Sequence, residues 1–583
     1  MRKKYIVSVM VLCILCILIN PIINASAMAT DINNVDKSIE KFADEHSDTT
    51  AGMAVSIFNA DEDIYSGYFG YIDKENSIEV DENSVFEWGS ATKLLVWTSV
   101  MQLYEQGLID LEADVKGYLP DNFFKNLRFD KPITMINLMN HNAGFQETVY
   151  NVFIKRDNID NMKPLGELLS EYQPEQIFEP GTVTAYSNWG VAVAGYIVER
   201  ITDKPFYEYV NENIFDPLGM DKSSLKPGFD DNEFVKEQWE KLVCYTTDVE
   251  EIPSAKCYVG MYPAGSCTST LNDCRIFAQA LMTGDSRIFK SAETYRLFLT
   301  PSSTYVYNNT EIPRNCHGMW MVPFENPVYG HGGNTAGCSS YILIDPQNDI
   351  GAVVMTNQSG ETVYNEEMME LVFGKYDPTN YFGETPDRPS GIYKPGRTIL
   401  KGGLKPYSLS FISFEDEDDE DEFAVEDKAS GNVQAPYGDY TKSSIAVFIM
   451  ETGLCILWIL SILACIVMLI IKLVQKIRKK DKRPLGIWAV LSMMTELLII
   501  AAFAFVVISA LTYGTMAESF FLAFYIIFAL TIITLLLIII GTAGLIKTEM
   551  KKGTRAFNIV TLFTLVICTV NVIYWNLFAF WIT

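Results

Sequence analysis

The chain has 583 residues and is acidic, with 45 Lys and Arg against 72 Asp and Glu. Its length exceeds one ordinary domain, and its charge argues against nucleic acid as a partner, because phosphate binding needs basic patches. With four histidines and no cysteine spacing that resembles a zinc site, neither a metal nor another cofactor is expected.

The N-terminus has the pattern of an export signal. A basic start precedes an apolar run from 5 to about 19, and small residues follow at 25–27. The order of charged head, apolar middle and small-residue cleavage site predicts a signal peptide over 1–29. An uncleaved anchor helix is the alternative, and under both interpretations the residues that follow are exported.

A domain over 30–385 comes next, with strands at both of its ends and helices between them. Hydrophobic periodicity predicts, in chain order, a helix at 31–46, strands at 51–59 and 64–72, helical stretches to about 285, strands at 339–345 and 350–357, and a helix near 361–374. We therefore expect an α+β domain in which both ends supply one antiparallel sheet, with an inserted helical region. A cleft between sheet and helices would be the natural ligand site.

Six cysteines lie in this exported part of the chain. An even number of cysteines outside the cell permits disulfides, although the sequence alone assigns no pairs. They are Cys244, Cys257, Cys267, Cys274, Cys316 and Cys338.

Residues 386–445 separate the domain from the apolar end of the chain. The stretch 386–413 is rich in Gly, Pro and Tyr and is expected to form a small β appendage. Eight consecutive acids at 415–422 repel one another, so we expect an extended, solvated tether between domain and membrane. Calcium binding is the alternative, but no EF-hand spacing is present.

Four apolar runs close the chain over 446–583, and each is long enough to cross a lipid bilayer, which takes about 20 helical residues. The runs are 446–471, 485–510, 520–546 and 556–581. The loops at 472–484 and 547–555 are rich in Lys and Arg, whereas 511–519 contains neither. The positive-inside rule places the basic loops in the cytoplasm and the domain outside, in agreement with the export signal.

Two carboxylates, Glu451 and Glu496, lie within these runs. An intramembrane carboxylate is costly and often functional. We interpret Glu451 as a protonated or helix-paired group near an interface. For the deeper Glu496, a functional role and a paired structural role both remain open.

The tetrapeptide Ser-x-x-Lys occurs three times, and one occurrence has the context of a catalytic pair. Ser38 lies in the first, surface helix, and Ser223 lies in a loop. Ser90 follows Gly89 and precedes a strongly apolar helix, so it would lie at a helix N-terminus with Lys93 one turn later on the same face. A serine hydroxyl needs a base in contact, and a lysine in a dry cleft can lose its proton and serve. A helix cap with a solvated lysine is the alternative.

The second motif, Tyr186-Ser187-Asn188, follows a turn and precedes an apolar helix. Tyr186 would relay a proton between nucleophile and leaving group if Lys93 lowered its pKa. Asn188 would orient Lys93 or a substrate amide. A buried tyrosine that caps the helix is the alternative.

The third motif, His331-Gly332-Gly333, stands beside a predicted strand. Two glycines there permit the close approach of a ligand backbone, and the N–H of Asn334 would serve as an oxyanion donor. A plain glycine turn is the alternative.

Together, the motifs at Ser90, Tyr186 and His331 resemble those of the class C β-lactamase and low-molecular-weight penicillin-binding protein family. The resemblance covers roughly residues 35–375, with the motifs in the family's order. Tyr-Ser-Asn is similar to the class C branch, whereas His-Gly-Gly resembles esterase and D-peptidase members. The resemblance implies a β-lactamase/transpeptidase-like fold, an antiparallel sheet flanked by helices with a helical subdomain, ahead of four C-terminal membrane helices.

The resemblance also implies acyl-enzyme chemistry on an amide or ester of a small molecule or peptide, including cell-wall-derived ones. Ser90 would attack the carbonyl while Lys93 and Tyr186 transfer the proton, and the N–H groups of Ser90 and Asn334 would hold the oxyanion. Because His331 stands where related proteins have a lysine, we expect ester or neutral-amide hydrolysis to exceed penicillin turnover. The alternative function is a penicillin-binding-like sensor that is acylated and signals through a membrane partner, since the cytoplasmic loops hold no output domain.

Overall fold

The computed structural model describes residues 34–147, 153–386, 389–397, 423–478, 486–510 and 517–578. Within them the chain forms a large α+β domain, a small second sheet and long apolar helices. The predicted signal peptide and the acidic run lie outside the described residues.

The domain is built on an antiparallel sheet to which both of its ends contribute. In chain order, its strands are β1 (Gly52–Phe58), β2 (Asp63–Asp73), β3 (Ile78–Glu79), β4 (Val85–Glu87), β5 (Phe153–Lys155), β6 (Ser223–Ser224), β7 (Cys257–Val259), β8 (Thr268–Thr270), β9 (Ser303–Tyr307), β10 (Thr310–Cys316), β11 (Met319–Val322), β12 (Val328–Asn334), β13 (Ser339–Asp345) and β14 (Ile350–Thr356). The large sheet has the order β3-β2-β1-β14-β13-β12-β11-β10-β9. Since β1 pairs with β14, the prediction of one sheet made from both ends is confirmed.

Most of the helices lie between β4 and β9, as expected from the periodicity. The helices of the domain are α1 (Val35–Glu45), α2 (Lys93–Glu105), α3 (Met135–Met139), α4 (Leu165–Glu171), α5 (Asn188–Thr202), α6 (Phe206–Val210), α7 (Asp216–Leu218), α8 (Glu233–Lys241), α9 (Leu271–Thr283), α10 (Ala292–Phe298), α11 (Glu370–Phe373) and α12 (Pro378–Phe382). The helix predicted near 361–374 is present as a π-helical turn at Val363–Glu367 that leads into α11.

Strand β1 is buried on both faces, because helices cover both sides of the sheet. Met53, Val55 and Ile57 pack with α1, whereas Ala54 and Phe58 belong to the larger core formed with α2, α5 and α9. Burial of each large aliphatic side chain contributes about 1.5–3 kcal/mol, so this centre fixes the strands that carry the site. The six cysteines of the domain are buried free thiols.

A second sheet follows the domain, and its strands lie on both sides of the acidic run. They are β15 (Tyr393–Pro395), β16 (Val425–Asp427), β17 (Asn432–Ala435) and β18 (Gly438–Lys442), in the order β15-β18-β17-β16. We call β15–β18 the appendage sheet. In the sequence the acidic run at 415–422 stands between β15 and β16, and the tether expected there lies outside the described residues.

A buried ion pair joins the appendage sheet to the large α+β domain. Arg314 and Asp439 lie 2.8 Å apart, with only 1% and 6% of their side chains exposed. Asp439 Oδ2 also accepts the N–H of Thr184 at 2.7 Å, and the Asp439 N–H donates to the Thr184 carbonyl at 2.8 Å. These bonds hold the sheet against the chain two residues before Tyr186.

Among the described residues, four helices are long and apolar enough to cross a membrane. They are α13 (Ile445–Ile477), α14 (Ile487–Ala510), α15 (Ala517–Lys547) and α16 (Lys552–Tyr574). In α13, Glu451 pairs with Lys394 of β15 at 3.2 Å and accepts the Tyr574 hydroxyl of α16 at 2.7 Å, so its interpretation as a paired group is confirmed. Glu496 accepts the Ser461 hydroxyl at 3.2 Å, and its role stays open.

Candidate active site

Ser90 and Lys93 meet at the start of α2, as the sequence predicts. Gly89–Thr92 forms a single 3₁₀ turn and α2 begins at Lys93, which brings Lys93 Nζ to 2.9 Å from Ser90 Oγ. Gly89 has a φ of +51°, and a Cβ there would lie 2.7 Å from the backbone nitrogen of Asn334. Only glycine therefore lets this turn approach the end of β12 so closely.

The Lys93 amine is fully buried and has three polar neighbours. Besides Ser90, Nζ lies 2.8 Å from Asn188 Oδ1 and 2.7 Å from the Ala264 carbonyl oxygen. Burial lowers the pKa of Lys93 well below 10.5; the Arg397 cation acts in the same direction and the Glu147 carboxylate opposes it. A neutral amine has two N–H groups for the two carbonyl acceptors, which leaves its lone pair for the Ser90 hydroxyl.

Tyr186 lies beside Ser90 and Lys93, and the segment that carries it is hydrogen-bonded to His141. The Ala185 N–H donates to the His141 carbonyl at 2.8 Å, and the Ser187 N–H donates to His141 Nδ1 at 3.1 Å. The imidazole ring packs against the Tyr186 ring with centroids 4.4 Å apart and an interplanar angle of 30°. The face of the Tyr186 ring lies 5.0 Å from Lys93 Nζ.

The expected effect of Lys93 on Tyr186 is wrong in direction. Burial raises the pKa of Tyr186, a hydrogen bond with Ser90 and the charge of Arg397 only partly oppose this, and Lys93 is not among the causes. The reason is that desolvation of the Tyr186 hydroxyl, which disfavours a charged phenolate, outweighs the nearby positive charge. Tyr186 is therefore a neutral phenol, which can donate a proton.

Asn188 fixes the position of the lysine. It is the first residue of α5; its Oδ1 accepts from Lys93, and its backbone N–H donates to Glu147 Oε2 at 2.6 Å. Ser187 caps the same helix by accepting the N–H of Gly190 at 3.0 Å. The proposed orienting role of Asn188 thus has a geometric basis.

The third motif forms the end of strand β12, which lies against the Ser90 turn. A Cβ on Gly333 would lie 1.9 Å from the Trp88 carbonyl oxygen and 2.8 Å from the Ser90 nitrogen. A Cβ on Gly332 would meet nothing closer than the Tyr341 ring, at 3.5 Å. The expectation that both glycines admit a ligand backbone needs correction, because Gly333 admits the backbone of the protein itself.

His331 and Asn334 end up in different surroundings. His331 is buried and its Nδ1 donates to the Gly332 carbonyl at 2.5 Å, while no described residue bonds its Nε2. Burial, followed by the nearby Lys93, lowers the pKa of His331 to about 3, so the imidazole is neutral. Asn334 is exposed, and its Oδ1 accepts the Ser339 hydroxyl at 2.6 Å.

Sequence reasoning missed three residues of this site. Glu147 is 4% exposed, binds the start of α5 and pairs with Arg397 at 3.4 Å. Arg397, from the appendage sheet, places its guanidinium carbon 5.1 Å from the centroid of the Tyr186 ring. His141 is the third; its pKa lies well below 6.5 because it is buried, so it too is neutral.

The other two Ser-x-x-Lys sequences lie elsewhere. Ser38 is exposed on α1 and donates to the Asn34 carbonyl at 3.2 Å. Ser223 is buried in β6, where a loop was expected, and donates to Asp273 Oδ2 at 2.9 Å. Neither hydroxyl contacts its own lysine, which distinguishes both from Ser90.

A beta-lactamase family model matches residues 35–374, more than half of the chain. The chain belongs to the beta-lactamase family. It is a serine hydrolase with a β-lactamase/transpeptidase-like fold, and both predictions are confirmed. The match ends before the appendage sheet and the apolar helices.

Several relatives are similar over the same region. Penicillin-binding protein 4 of Amycolatopsis lactamdurans is 23% identical over 56% of this chain and 85% of its own length. A beta-lactamase of Yersinia enterocolitica is 23% identical over 53% of this chain and 82% of its own. A penicillin-binding protein of Bacillus subtilis is 26% identical over 44% of this chain, and the alignment spans 60% of that relative's length.

Two solved structures show a general likeness of shape. The octameric penicillin-binding protein homologue from Pyrococcus abyssi has a TM-score of 0.48 and 22% identity over 63% of this chain and 83% of its own. The D-amino acid amidase from Ochrobactrum anthropi has a TM-score of 0.46 and 22% identity over 59% and 97%.

Proposed function

We propose that this protein is a membrane-anchored hydrolase with an extracellular catalytic domain, which cleaves amide or ester bonds through an acyl-enzyme on Ser90. The observation that carries the proposal is the buried Lys93 amine between Ser90, Asn188 and Ala264. A buried lysine with a lowered pKa, 2.9 Å from a serine hydroxyl, has the contact that a general base needs.

In the acylation step, Ser90 Oγ bonds to the substrate carbonyl carbon as its proton passes to Lys93 Nζ. The carbonyl oxygen takes up the electron pair and becomes an oxyanion. The backbone N–H groups of Ser90 and Asn334 are the proposed donors to it, and the tight packing of β12 on the Ser90 turn supports their closeness.

Collapse of this intermediate expels the leaving amine or alkoxide. Tyr186, as a neutral phenol, donates its proton to the leaving atom and takes back the proton held by Lys93. Water then attacks the acyl-enzyme by the same route in reverse, losing a proton to Lys93 and returning Ser90 its own. The acid product leaves, and Ser90, Lys93 and Tyr186 return to their starting protonation states.

The substrate class is a small molecule or a peptide with a scissile amide or ester. The relatives support this, since their names include penicillin-binding proteins, beta-lactamases and an N-acetylmuramyl-L-alanine amidase of Bacillus subtilis, 24% identical over 60% of this chain and 87% of its own length. The buried Nε2 of His331 carries a lone pair without a partner among the described residues, and we assign it the role of accepting a substrate N–H.

The extracellular placement rests on charge and on the export signal. Lys547, Lys551, Lys552 and Arg555 cluster between α15 and α16, and a cluster of this kind favours the cytoplasmic side. Three helices, α13, α14 and α15, stand in the chain between this cluster and the catalytic domain. An odd number of membrane spans places the two on opposite sides, so the domain would lie outside the cell.

Active-site labelling with a fluorophosphonate and a fluorescent penicillin tests the nucleophile. We expect Ser90→Ala to abolish labelling by both probes, while Ser38→Ala and Ser223→Ala retain it, with the modified peptide mapped by mass spectrometry. Ser38→Ala is the control for an exposed Ser-x-x-Lys serine and Ser223→Ala for a buried one. Persistent labelling of Ser90→Ala protein would overturn the assignment.

A further inference from the structure

The appendage sheet brings a cation to the active site from outside the family region. Arg397 follows β15, beyond the residue at which the family match ends. Its guanidinium carbon lies 5.1 Å from the centroid of the Tyr186 ring, and Lys93 Nζ lies 5.0 Å from the same centroid. The guanidinium of Arg397 and the amine of Lys93 therefore both lie close to the ring of Tyr186.

The backbone next to Arg397 is held firmly. The N–H of Gly396 donates to the Asp439 carbonyl at 2.6 Å. A Cβ on Gly396 would come within 2.8 Å both of that oxygen and of the Val183 side chain, so the strand lies tightly against the domain. Since Asp439 is itself paired with buried Arg314, Arg397 is presented by an ordered wall of the site.

Arg397 has more hydrogen-bond donors than its contact with Glu147 uses. A guanidinium has five N–H donors, and the Arg397 side chain is 39% exposed. Its contact with Glu147 is long, at 3.4 Å from NH2 to Oε2, whereas the same oxygen accepts the Asn188 N–H at 2.6 Å. The Arg397 side chain is thus partly exposed and makes only a long contact with Glu147.

The two histidines near Tyr186 supply no positive charge. His331 and His141 are buried, which lowers the pKa of both imidazoles and leaves them neutral, and burial also lowers the pKa of Lys93. The guanidinium of Arg397 has a planar fork that matches the two oxygens of a carboxylate. The positive charge that His331 does not supply therefore comes from Arg397, which follows β15.

We propose that Arg397 is a specificity-determining residue that binds a carboxylate of the substrate at the mouth of the Ser90 site. The preferred acyl donors are then anionic, which reverses the preference for uncharged substrates expected from His331 alone. This inference rests on the proposed function, since it assigns a substrate class to the same site.

The kinetic test compares acylation of the full-length protein in detergent by two probes. Fluorescent penicillin carries a carboxylate, whereas an alkyl fluorophosphonate is neutral. We expect Arg397→Gln to lower the ratio of the penicillin rate constant to the fluorophosphonate rate constant at least about tenfold. Arg397→Lys should give an intermediate ratio, because it keeps the charge but loses the fork. Lys428→Gln, which removes an exposed cation from the same sheet, should leave the ratio unchanged.

The ratio separates recognition from nucleophile strength. Arg397 also lowers the pKa of Lys93, so its loss can slow both probes together. A parallel fall with a constant ratio would show that Arg397 acts only on the base and would overturn the proposal. An unchanged ratio with unchanged rates would overturn it as well.

An equilibrium measurement distinguishes this proposal from failure of the proposed chemistry. In Ser90→Ala protein, calorimetric binding of benzylpenicillin is compared with that of its primary carboxamide, with and without Arg397→Gln. We expect the substitution to weaken carboxylate binding at least about tenfold and to leave carboxamide binding within about twofold. Equal effects on both ligands refute carboxylate recognition, whether or not Ser90 proves to be the nucleophile.

Discussion

Removing one partner of the Arg314–Asp439 pair should loosen the appendage sheet from the catalytic domain. Asp439→Ala leaves the buried guanidinium with the carbonyl oxygens of Ala435 and Pro436 and one threonine hydroxyl, and it removes the acceptor of the Thr184 N–H. Breaking a buried ion pair from one side costs about 3–5 kcal/mol. An unsatisfied buried amide adds about 1–3 kcal/mol. We expect a loss of at least about 3 kcal/mol in the free energy of unfolding of the domain.

Thermal unfolding of the full chain in detergent, followed by tryptophan fluorescence, measures this loss. The double variant Arg314→Met/Asp439→Leu should recover most of it, because an apolar pair needs no charge compensation. Glu426→Ala is the matched control; it breaks an exposed 3.7 Å pair with Lys442 in the same sheet and should cost at most about 1 kcal/mol. If the double variant is as unstable as Asp439→Ala, the uncompensated charge is not the cause and the reasoning fails.

Three further predictions concern the base, the oxyanion region and the topology. The acylation rate should rise with pH through the lowered pKa of Lys93, because the neutral amine is the active form; a midpoint near 10.5 in a pH profile would contradict this. Gly333→Ala should lower labelling at least about a hundredfold, since its Cβ would lie 1.9 Å from a carbonyl oxygen in the turn that carries the proposed nucleophile, whereas labelling of Gly332→Ala, with 3.5 Å of clearance, should stay within about threefold. A membrane-impermeant amine reagent should modify exposed Lys41 in intact cells but Lys551 only after lysis, as peptide mapping would show; the reverse pattern would mean the opposite orientation.

The sheet and the Ser90–Lys93 pair could be predicted because their signals are local. Strand periodicity shows within a few residues, and a serine three residues before a lysine meets it across one helical turn. Of the three Ser-x-x-Lys sequences, that of Ser90 was distinguished by the apolar helix that follows it. The buried lysine of α2 agrees with that interpretation.

Residues that act through long-range contacts left no such signal. Glu147 and Arg397 are separated by 250 positions, and neither belongs to a motif. The direction of the pKa shift at Tyr186 was also out of reach, because it depends on how completely the surrounding elements desolvate the Tyr186 hydroxyl. Likewise, the acidic run gives no hint that the chain returns to pair β18 with β15.

Glu451 connects the apolar helices to β15, the strand that precedes Arg397. A carboxylate that is only 1% exposed among apolar helices has lost hydration worth several kcal/mol, so it needs donors close by. Tyr574 supplies one from α16 and Lys394 supplies the other from β15. Lys394 lies three residues before Arg397 in the chain, and the same strand edge therefore satisfies the buried carboxylate and presents the guanidinium to Tyr186. The helices thus contact the segment that carries Arg397.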